Sequence, residues 1–157
     1  MVTAAEVRAR LDEVKDPEIP ACSITDLGMV ERVEVRDDAI EVDLVPTFAG
    51  CPALDVIARD VARAVQDVAA ARDVRVRFVM NPPWTTDRIA PRARDAMGTL
   101  GIAGPVLVTL GKPEAVRCPY CGSAETERQT AFGPTPCRSI RYCTSCRNPF
   151  EAFKEKR

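Results

Sequence analysis

Four cysteines, Cys118, Cys121, Cys143 and Cys146, form two C-x-x-C pairs separated by 21 residues. Each pair lets two thiolates reach one ion from a tight turn, and the stretch between them is long enough to fold back and bring the pairs together. Cys118-Pro119-Tyr120-Cys121-Gly122 carries a glycine where such a turn needs positive φ. Cys143-Thr144-Ser145-Cys146 is followed by Pro149 and Phe150, which can close and cover the site. The spacing predicts a metal-organised module over residues 117–157, read first as a zinc ribbon, with an iron–sulfur cluster as the alternative because it too takes four thiolates. Closed four-sulfur coordination leaves no open position, so neither version predicts hydrolysis by a metal-bound water.

The chain has 157 residues, enough for one compact domain and a small appended module. Its 22 Lys and Arg against 23 Asp and Glu leave a net charge of −1, so no global field draws it to nucleic acid or an anionic membrane. The N-terminal Met1-Val2-Thr3-Ala4-Ala5-Glu6 lacks the basic and apolar regions of a signal peptide, and no apolar run approaches the roughly 20 residues that span a bilayer. A soluble, cytoplasmic protein is expected. Seven cysteines in such a chain read as ligands or thiols rather than as a disulfide framework. Histidine is absent, which removes imidazole bases, Ser-His-Asp and Cys-His nucleophile pairs, and imidazole metal sites.

Ahead of the cysteine module the pattern is mixed. Thr3 and Glu6 make a capping box, and Val7, Leu11 and Val14 follow at helical spacing, so a first helix is predicted to about Lys15, where Asp16-Pro17-Glu18-Ile19-Pro20 stops it. Val33 and Val35 alternate with charges, Asp37-Asp38 make a turn, and Ile40, Val42 and Leu44 alternate again, which predicts a β-hairpin. Leu54, Ile57, Val61, Val65 and Val68 form a helical stripe after a loop at 46–52, with Pro52 as the first helical residue. Val74–Met80 reads as a strand, and Ile89, Ala93 and Met97 share one face of a last helix ended by Gly98 and Gly101. This order gives an α+β domain over 1–101, a small sheet covered by helices, joined by a connector at 102–116 to the four-cysteine module at 117–157. The apolar run Val106–Leu110 predicts that the connector packs against one of them.

Three further cysteines need reading. Cys51 stands alone in a Gly-Cys-Pro loop at a helix start, where backbone donors and the macrodipole favour a reactive thiolate; the alternative is a small apolar residue tucked under the hairpin. Asp16, Glu18 and Asp26 occupy the loop before the first strand. They either come near Cys51, as carboxylates suited to transient iron binding, or bond backbone amides in turns. Cys137 lies between the C-x-x-C pairs, close enough to exchange for a ligand or merely a spare thiol, and Cys22 reads as structural. Trp84 reads as a core or interface anchor. Arg75 and Arg77, with Arg88, Arg92 and Arg94, read as a solvated face that can offer an acidic partner a docking patch.

Asp16-Pro17-Glu18-Ile19-Pro20, Ser23-Ile24-Thr25-Asp26-Leu27-Gly28-Met29-Val30 and the stretch from Thr47 to Cys51-Pro52 resemble the iron–sulfur assembly domain of the SufT family. The C-terminal part, with Cys118-Pro119-Tyr120-Cys121-Gly122-Ser123, Phe132-Gly133-Pro134-Thr135, Cys143 to Phe150 and Phe153-Lys154, is similar to the PaaD family. These are accessory proteins encoded with the ring-1,2-phenylacetyl-CoA epoxidase of aerobic phenylacetate breakdown. The resemblance implies a helper without independent catalysis that supports maturation of the epoxidase's iron or iron–sulfur cofactors. By the same carry-over Cys51 is the reactive cysteine, with Asp26 in an Asp-Leu-Gly turn, the two holding iron or a cluster transiently. The implied partners are the oxygenase and reductase subunits or other iron–sulfur assembly proteins, not nucleic acid or membrane, and a homodimer remains open. The alternative is a structural adaptor that stays bound to the oxygenase through its ribbon. Pro134-Thr135-Pro136-Cys137 departs from the Ser-Thr-Ala-Cys of other members, and its two prolines stiffen the approach to Cys137.

Overall fold

A computed structural model describes residues 2–69, 72–104, 108–109, 112–113 and 115–154. The chain divides into two compact units, Met1–Trp84 and Thr85–Arg157.

In the first unit the capping box forms as predicted. Thr3 accepts from the Glu6 amide while Glu6 accepts from the Thr3 amide, and helix α1 spans Ala4–Leu11. It is shorter than its apolar spacing suggests, because the amides of Glu13 and Val14 already close a turn onto Arg10 and Leu11. The segment read as a stop forms instead a two-stranded ribbon of β1 (Lys15–Asp16) and β2 (Ile19–Ser23). Asp16 organises its turn, one carboxylate oxygen accepting from the amides of Glu18 at 2.8 Å and Ile19 at 2.9 Å.

The predicted hairpin is β3 (Val30–Val35) and β4 (Ala39–Leu44), antiparallel. Helix α2 (Leu54–Gln66) then crosses over, so that β5 (Asp73–Phe78) pairs parallel to β4. The result is a mixed sheet of order β3-β4-β5 with β4 central. Ile40, Val42 and Leu44 on the central strand are fully buried, as are Ile57, Val61 and Val65 on α2 and Val7 and Leu11 on α1. Contacts run from α1 to α2 and β3, and from α2 to β5.

The other face of this sheet is an ion-pair lattice. Asp43, only 6% exposed, accepts from Arg77 at 2.6 Å and Arg32 at 2.8 Å. Arg36 bonds Glu34, and Glu41 lies within ion-pair distance of Arg32, Arg36, Arg75 and Arg77. Arg75 bonds Asp73 on its own strand at 2.7 Å and Arg77 bonds Asp43 on β4, while both side chains stay more than half exposed, so the solvated face expected here carries its own counter-charges.

The second unit begins with a 3-10 turn at Thr86–Arg88 and helix α3 (Pro91–Thr99), which buries Ala93 and Met97; Ile89, expected on the same helical face, is buried too but lies in extended backbone ahead of the helix, which starts only at Pro91. Strand β6 (Ile102–Ala103) follows, and α3 packs on it. β7 (Val108–Thr109) and β8 (Lys112–Pro113) pair with each other; residues 106, 107 and 110 of the apolar run lie outside the described residues. β9 (Thr126–Thr130), β10 (Arg138–Cys143) and β11 (Pro149–Phe153) are antiparallel, and β6 joins them parallel to β11, in the order β6-β11-β10-β9. No helix of the described residues is long and apolar enough to cross a membrane.

Candidate functional site

The ribbon sheet presents two turns of the same construction. In the first, the Cys118 amide donates to the Ser123 carbonyl and the Gly122 amide returns to the Cys118 carbonyl, both at 2.9 Å. In the second, the Cys143 amide donates to the Asn148 carbonyl at 3.0 Å and the Arg147 amide returns to the Cys143 carbonyl at 2.9 Å. The chain therefore folds twice into one C-x-x-C knuckle, once before β9 and once between β10 and β11. A Ser123–Ser145 hydroxyl contact of 2.8 Å ties the knuckles together, and Glu125 reinforces it by accepting from Ser145 and from the Thr144 amide.

The four sulfurs this brings together lie within 4.8 Å of one another. The Cys118–Cys146 and Cys121–Cys143 pairs are 3.6 Å apart. Tetrahedral thiolates at a zinc distance of about 2.3 Å stand about 3.8 Å apart, so the cluster has the dimensions of a single-ion site. A cluster with several irons and bridging sulfides between the thiolates needs them further apart.

The electrostatics call for a cation at this site. The Asn148 amide, with help from the neighbouring thiols, draws Cys146 down to about 6. For Cys121 the Ser123 amide acts downward, but burial and the thiols of Cys143, Cys146 and Cys118 outweigh it and push the group up to about 12. Sulfurs this crowded cannot all ionise unless a cation sits among them. Cys118 and Cys143 are buried beneath Phe150 and Ala152 in a small core with Ala103 and Val116, whereas Cys121 is exposed.

Cys137 is not part of this cluster. It is half-buried, with its sulfur 3.3 Å from the Thr135 hydroxyl and its carbonyl accepting from the Lys154 amide at 2.9 Å.

In the first unit, strand register gathers three segments at one end of the sheet. Val30, Leu44 and Phe78 lie side by side there, so the turn before β3, the loop after β4 and the segment after β5 all leave from the same edge. Hydrogen bonds knit these exits together, from the Val45 amide to Met29 and from the Val79 amide to Leu44, both at 2.7 Å. Trp84, 2% exposed, closes the end by donating its indole N–H to the Leu27 carbonyl at 2.7 Å.

Asp26 lies in the first of these segments. Its Oδ2 accepts from the Ser23 amide at 3.0 Å while the Ser23 hydroxyl accepts from the Asp26 amide at 3.0 Å, a reciprocal pair that builds the turn. Cys51 lies in the second segment, half-buried, its amide donating to Phe48 and its carbonyl accepting from Leu54. It stands two residues ahead of Ala53, the cap of α2, which supplies no side-chain cap; the helix starts at Leu54 rather than Pro52. Asp26 and Asp16 both act on Cys22. Burial first, then the charges of Asp26 and Asp16, push its thiol up, so it is held as the neutral form. Composition gave no sign of that placement, since it arises from the β1–β2 ribbon.

Residues 4–78 match the family described as "Iron-sulfur cluster assembly protein", and residues 103–154 match the "PaaD zinc beta ribbon domain". The chain is 37% identical, over 95% of its length and 91% of the relative's, to an Escherichia coli (strain K12) protein provisionally named as a 1,2-phenylacetyl-CoA epoxidase subunit. It is 33% identical, over 59% of its own length and 90% of the relative's, to the Fe-S protein maturation auxiliary factor YitW of Bacillus subtilis (strain 168). Among solved structures, a domain of unknown function from Bacillus anthracis superposes with a TM-score of 0.56 at 30% identity, covering 60% of this chain and 91% of that one. A conserved hypothetical protein of Thermotoga maritima does so with a TM-score of 0.54 at 28% identity, covering 62% and 95%.

Proposed function

Because the chain belongs to the PaaD family, with an iron–sulfur assembly domain and a PaaD ribbon on one polypeptide, we propose that it is an accessory maturation factor for a ring-1,2-phenylacetyl-CoA epoxidase, aiding assembly of iron or iron–sulfur cofactors. The observation that carries this reading is the joint match across 95% of the chain to a relative named for that epoxidase, while the N-terminal part alone matches a maturation factor.

In this reading Cys118, Cys121, Cys143 and Cys146 hold one zinc ion. When bound it supplies a cross-link between the two knuckles. The closeness of the sulfurs supports that assignment over a cluster. Handling of iron or a cluster as cargo then falls to the sheet end that bears Cys51 and Asp26. Asp26 acts there chiefly by fixing its turn, because one of its oxygens is already engaged by the Ser23 amide.

The test is rescue of epoxidase activity in a host that lacks its own copy of this factor. Cys51→Ser is expected to abolish rescue while the purified variant keeps its metal and its helical signal. Full rescue by Cys51→Ser overturns the role given to that thiol. That the Escherichia coli relative is named as a part of the epoxidase favours a second reading, an adaptor that remains bound to the oxygenase. Co-elution at a fixed ratio after the oxygenase is fully metal-loaded supports the adaptor; release on loading supports the maturation factor.

A further inference from the structure

Asp12 stands where a helix disfavours it. It caps the C-terminus of α1, its amide donating to the Arg8 carbonyl at 3.2 Å, and a carboxylate there meets the negative end of the helix macrodipole. Its side chain has another use. Oδ1 accepts the hydroxyl proton of Thr25, in the turn that carries Asp26.

That bond fixes the direction of a longer chain. A hydroxyl has one proton, and Thr25 gives its own to Asp12, so the 2.8 Å contact between the Ser23 and Thr25 hydroxyls is Ser23 donating to Thr25. The Ser23 oxygen in turn accepts from the Asp26 amide at 3.0 Å. The hydrogen bonds therefore run one way, from the amide of buried Asp26 through buried Ser23 and half-buried Thr25 to an exposed carboxylate on α1. Bonds aligned in this sense polarise one another, and a serine that donates toward an anion becomes a better acceptor at its own oxygen. The return bond, from the Ser23 amide to Asp26 Oδ2 at 3.0 Å, closes the turn on its carboxylate side.

The backbone repeats the tie. The Ile24 amide donates to the Val14 carbonyl at 3.0 Å, so the exit of α1 and the Asp26 turn are joined twice, once by side chains and once by main chain. Helix α1 packs on α2, whose first residue, Leu54, holds the Cys51 carbonyl through its amide at 3.3 Å. The two segments that bear Asp26 and Cys51 are thus both anchored to the same helical layer.

We propose that Asp12 and Thr25 are positioning residues for the candidate cargo site: they set the direction of the hydrogen bonds that hold the Asp26 turn, and so fix the turn at the sheet end that bears Cys51. Both act through Ser23 and Asp26 rather than on the cargo. This role rests on the reading that this sheet end handles iron or a cluster.

The experiment uses the full, metal-loaded chain. Amide exchange at Asp26, referenced to Val42 at the middle of the sheet, is measured beside rescue of epoxidase activity for Asp12→Ala, Thr25→Val and Thr25→Ser. Asp12→Ala and Thr25→Val are each expected to speed Asp26 exchange about tenfold and to lower rescue, since each removes a hydrogen bond that ends on a charged group. Thr25→Ser keeps the hydroxyl and is expected to retain both properties. Asp43→Asn, which breaks the bonds to Arg32 and Arg77 on the other face of the sheet, is expected to lose stability and keep rescue, so that instability alone is told apart from misplacement of the turn. A higher melting temperature for Asp12→Ala with Asp26 exchange unchanged would overturn the proposal, because relief of the helix end would then be the whole effect. Equal loss of rescue in Thr25→Ser would overturn it as well. Full rescue by Asp12→Ala and Thr25→Val where Cys51→Ser fails would remove the positioning role and leave the thiol's role standing; full rescue by Cys51→Ser would remove both.

Discussion

Gly122 and Arg147 occupy the same place in the two knuckles. Each follows the second cysteine of its pair, each has a left-handed backbone (φ of 74° and 60°), and each returns its amide to the carbonyl of the first cysteine. One position carries the residue that such a backbone favours. The other carries a side chain that resists it.

The asymmetry makes opposite substitutions informative. Gly122→Ala meets no neighbouring atom, since open space surrounds the position of the new Cβ, so its cost is the backbone alone, about 1 kcal/mol. Arg147→Gly relieves the same strain and gives part of that back to the freer unfolded chain, for a net gain of about 0.5 kcal/mol. Thermal unfolding of the metal-loaded protein should show the melting temperature falling for the first and rising for the second. A fall for both would mean that the Arg147 side chain contributes more than its backbone costs.

Metal removal should act on the ribbon. About one zinc per chain and no visible absorption are expected from protein purified without oxygen, and a strong chelator should collapse the β9–β11 sheet because its two turns are held by the shared ion. Cys143→Ser and Cys118→Ser, at buried positions, should lower metal content more than Cys121→Ser, at the exposed one. Stoichiometric iron with sulfide and a brown chromophore would instead reassign the ribbon as the cluster carrier.

The ion-pair lattice of the first unit has a pH signature. Arg77 first, and Arg32 with it, hold the Asp43 carboxyl below its usual range. A depressed carboxylate stabilises fully above the unfolded value, about 3.9, and loses that contribution as pH falls through the folded value. Asp43→Asn should therefore cost about 1 kcal/mol at neutral pH, a modest figure because both arginines are partly exposed and screened. In urea titrations the gap between parent and variant should hold from pH 7 to 5 and shrink below about pH 4. A gap that widened in acid would contradict the assignment.

Local chemistry was the part of this structure that could be read from residues. The capping box of Thr3 and Glu6, the alternation of Val33, Val35, Ile40 and Val42, the stripe on α2 and the cysteine spacing all act within a few residues or through one strong repeat. What escaped depends on partners far along the chain. Ile19–Ser23 became a strand despite Pro20, because β1 pairs with it; β6 entered the ribbon sheet through β11, roughly fifty residues later. The acid that engages Arg77, Asp43, stands on β4, and only the parallel register shows that they are neighbours. Arg147 gave no hint of a left-handed backbone, since only comparison with Gly122 in the folded knuckles shows the two positions to be equivalent.

Trp84 offers the most direct handle on the end of the sheet where Cys51 and Asp26 lie. Its indole is buried, and its N–H reaches the Leu27 carbonyl, in the turn that Asp26 organises, at 2.7 Å. Trp84→Phe keeps most of the apolar area but removes that donor, leaving a buried carbonyl short of a partner at a cost of about 1–3 kcal/mol. The loss should be concentrated rather than spread. Amide hydrogen exchange is expected to speed up at Leu27, Gly28 and Met29, whose amides donate within the same turn, while Val33 and Val42 at the middle of the sheet keep their protection relative to global unfolding. If this end of the sheet handles the metal cargo, rescue of epoxidase activity should fall with the turn's protection even where the folded fraction is unchanged. Intact rescue alongside accelerated exchange would show that the turn's order matters to the fold and not to the transfer.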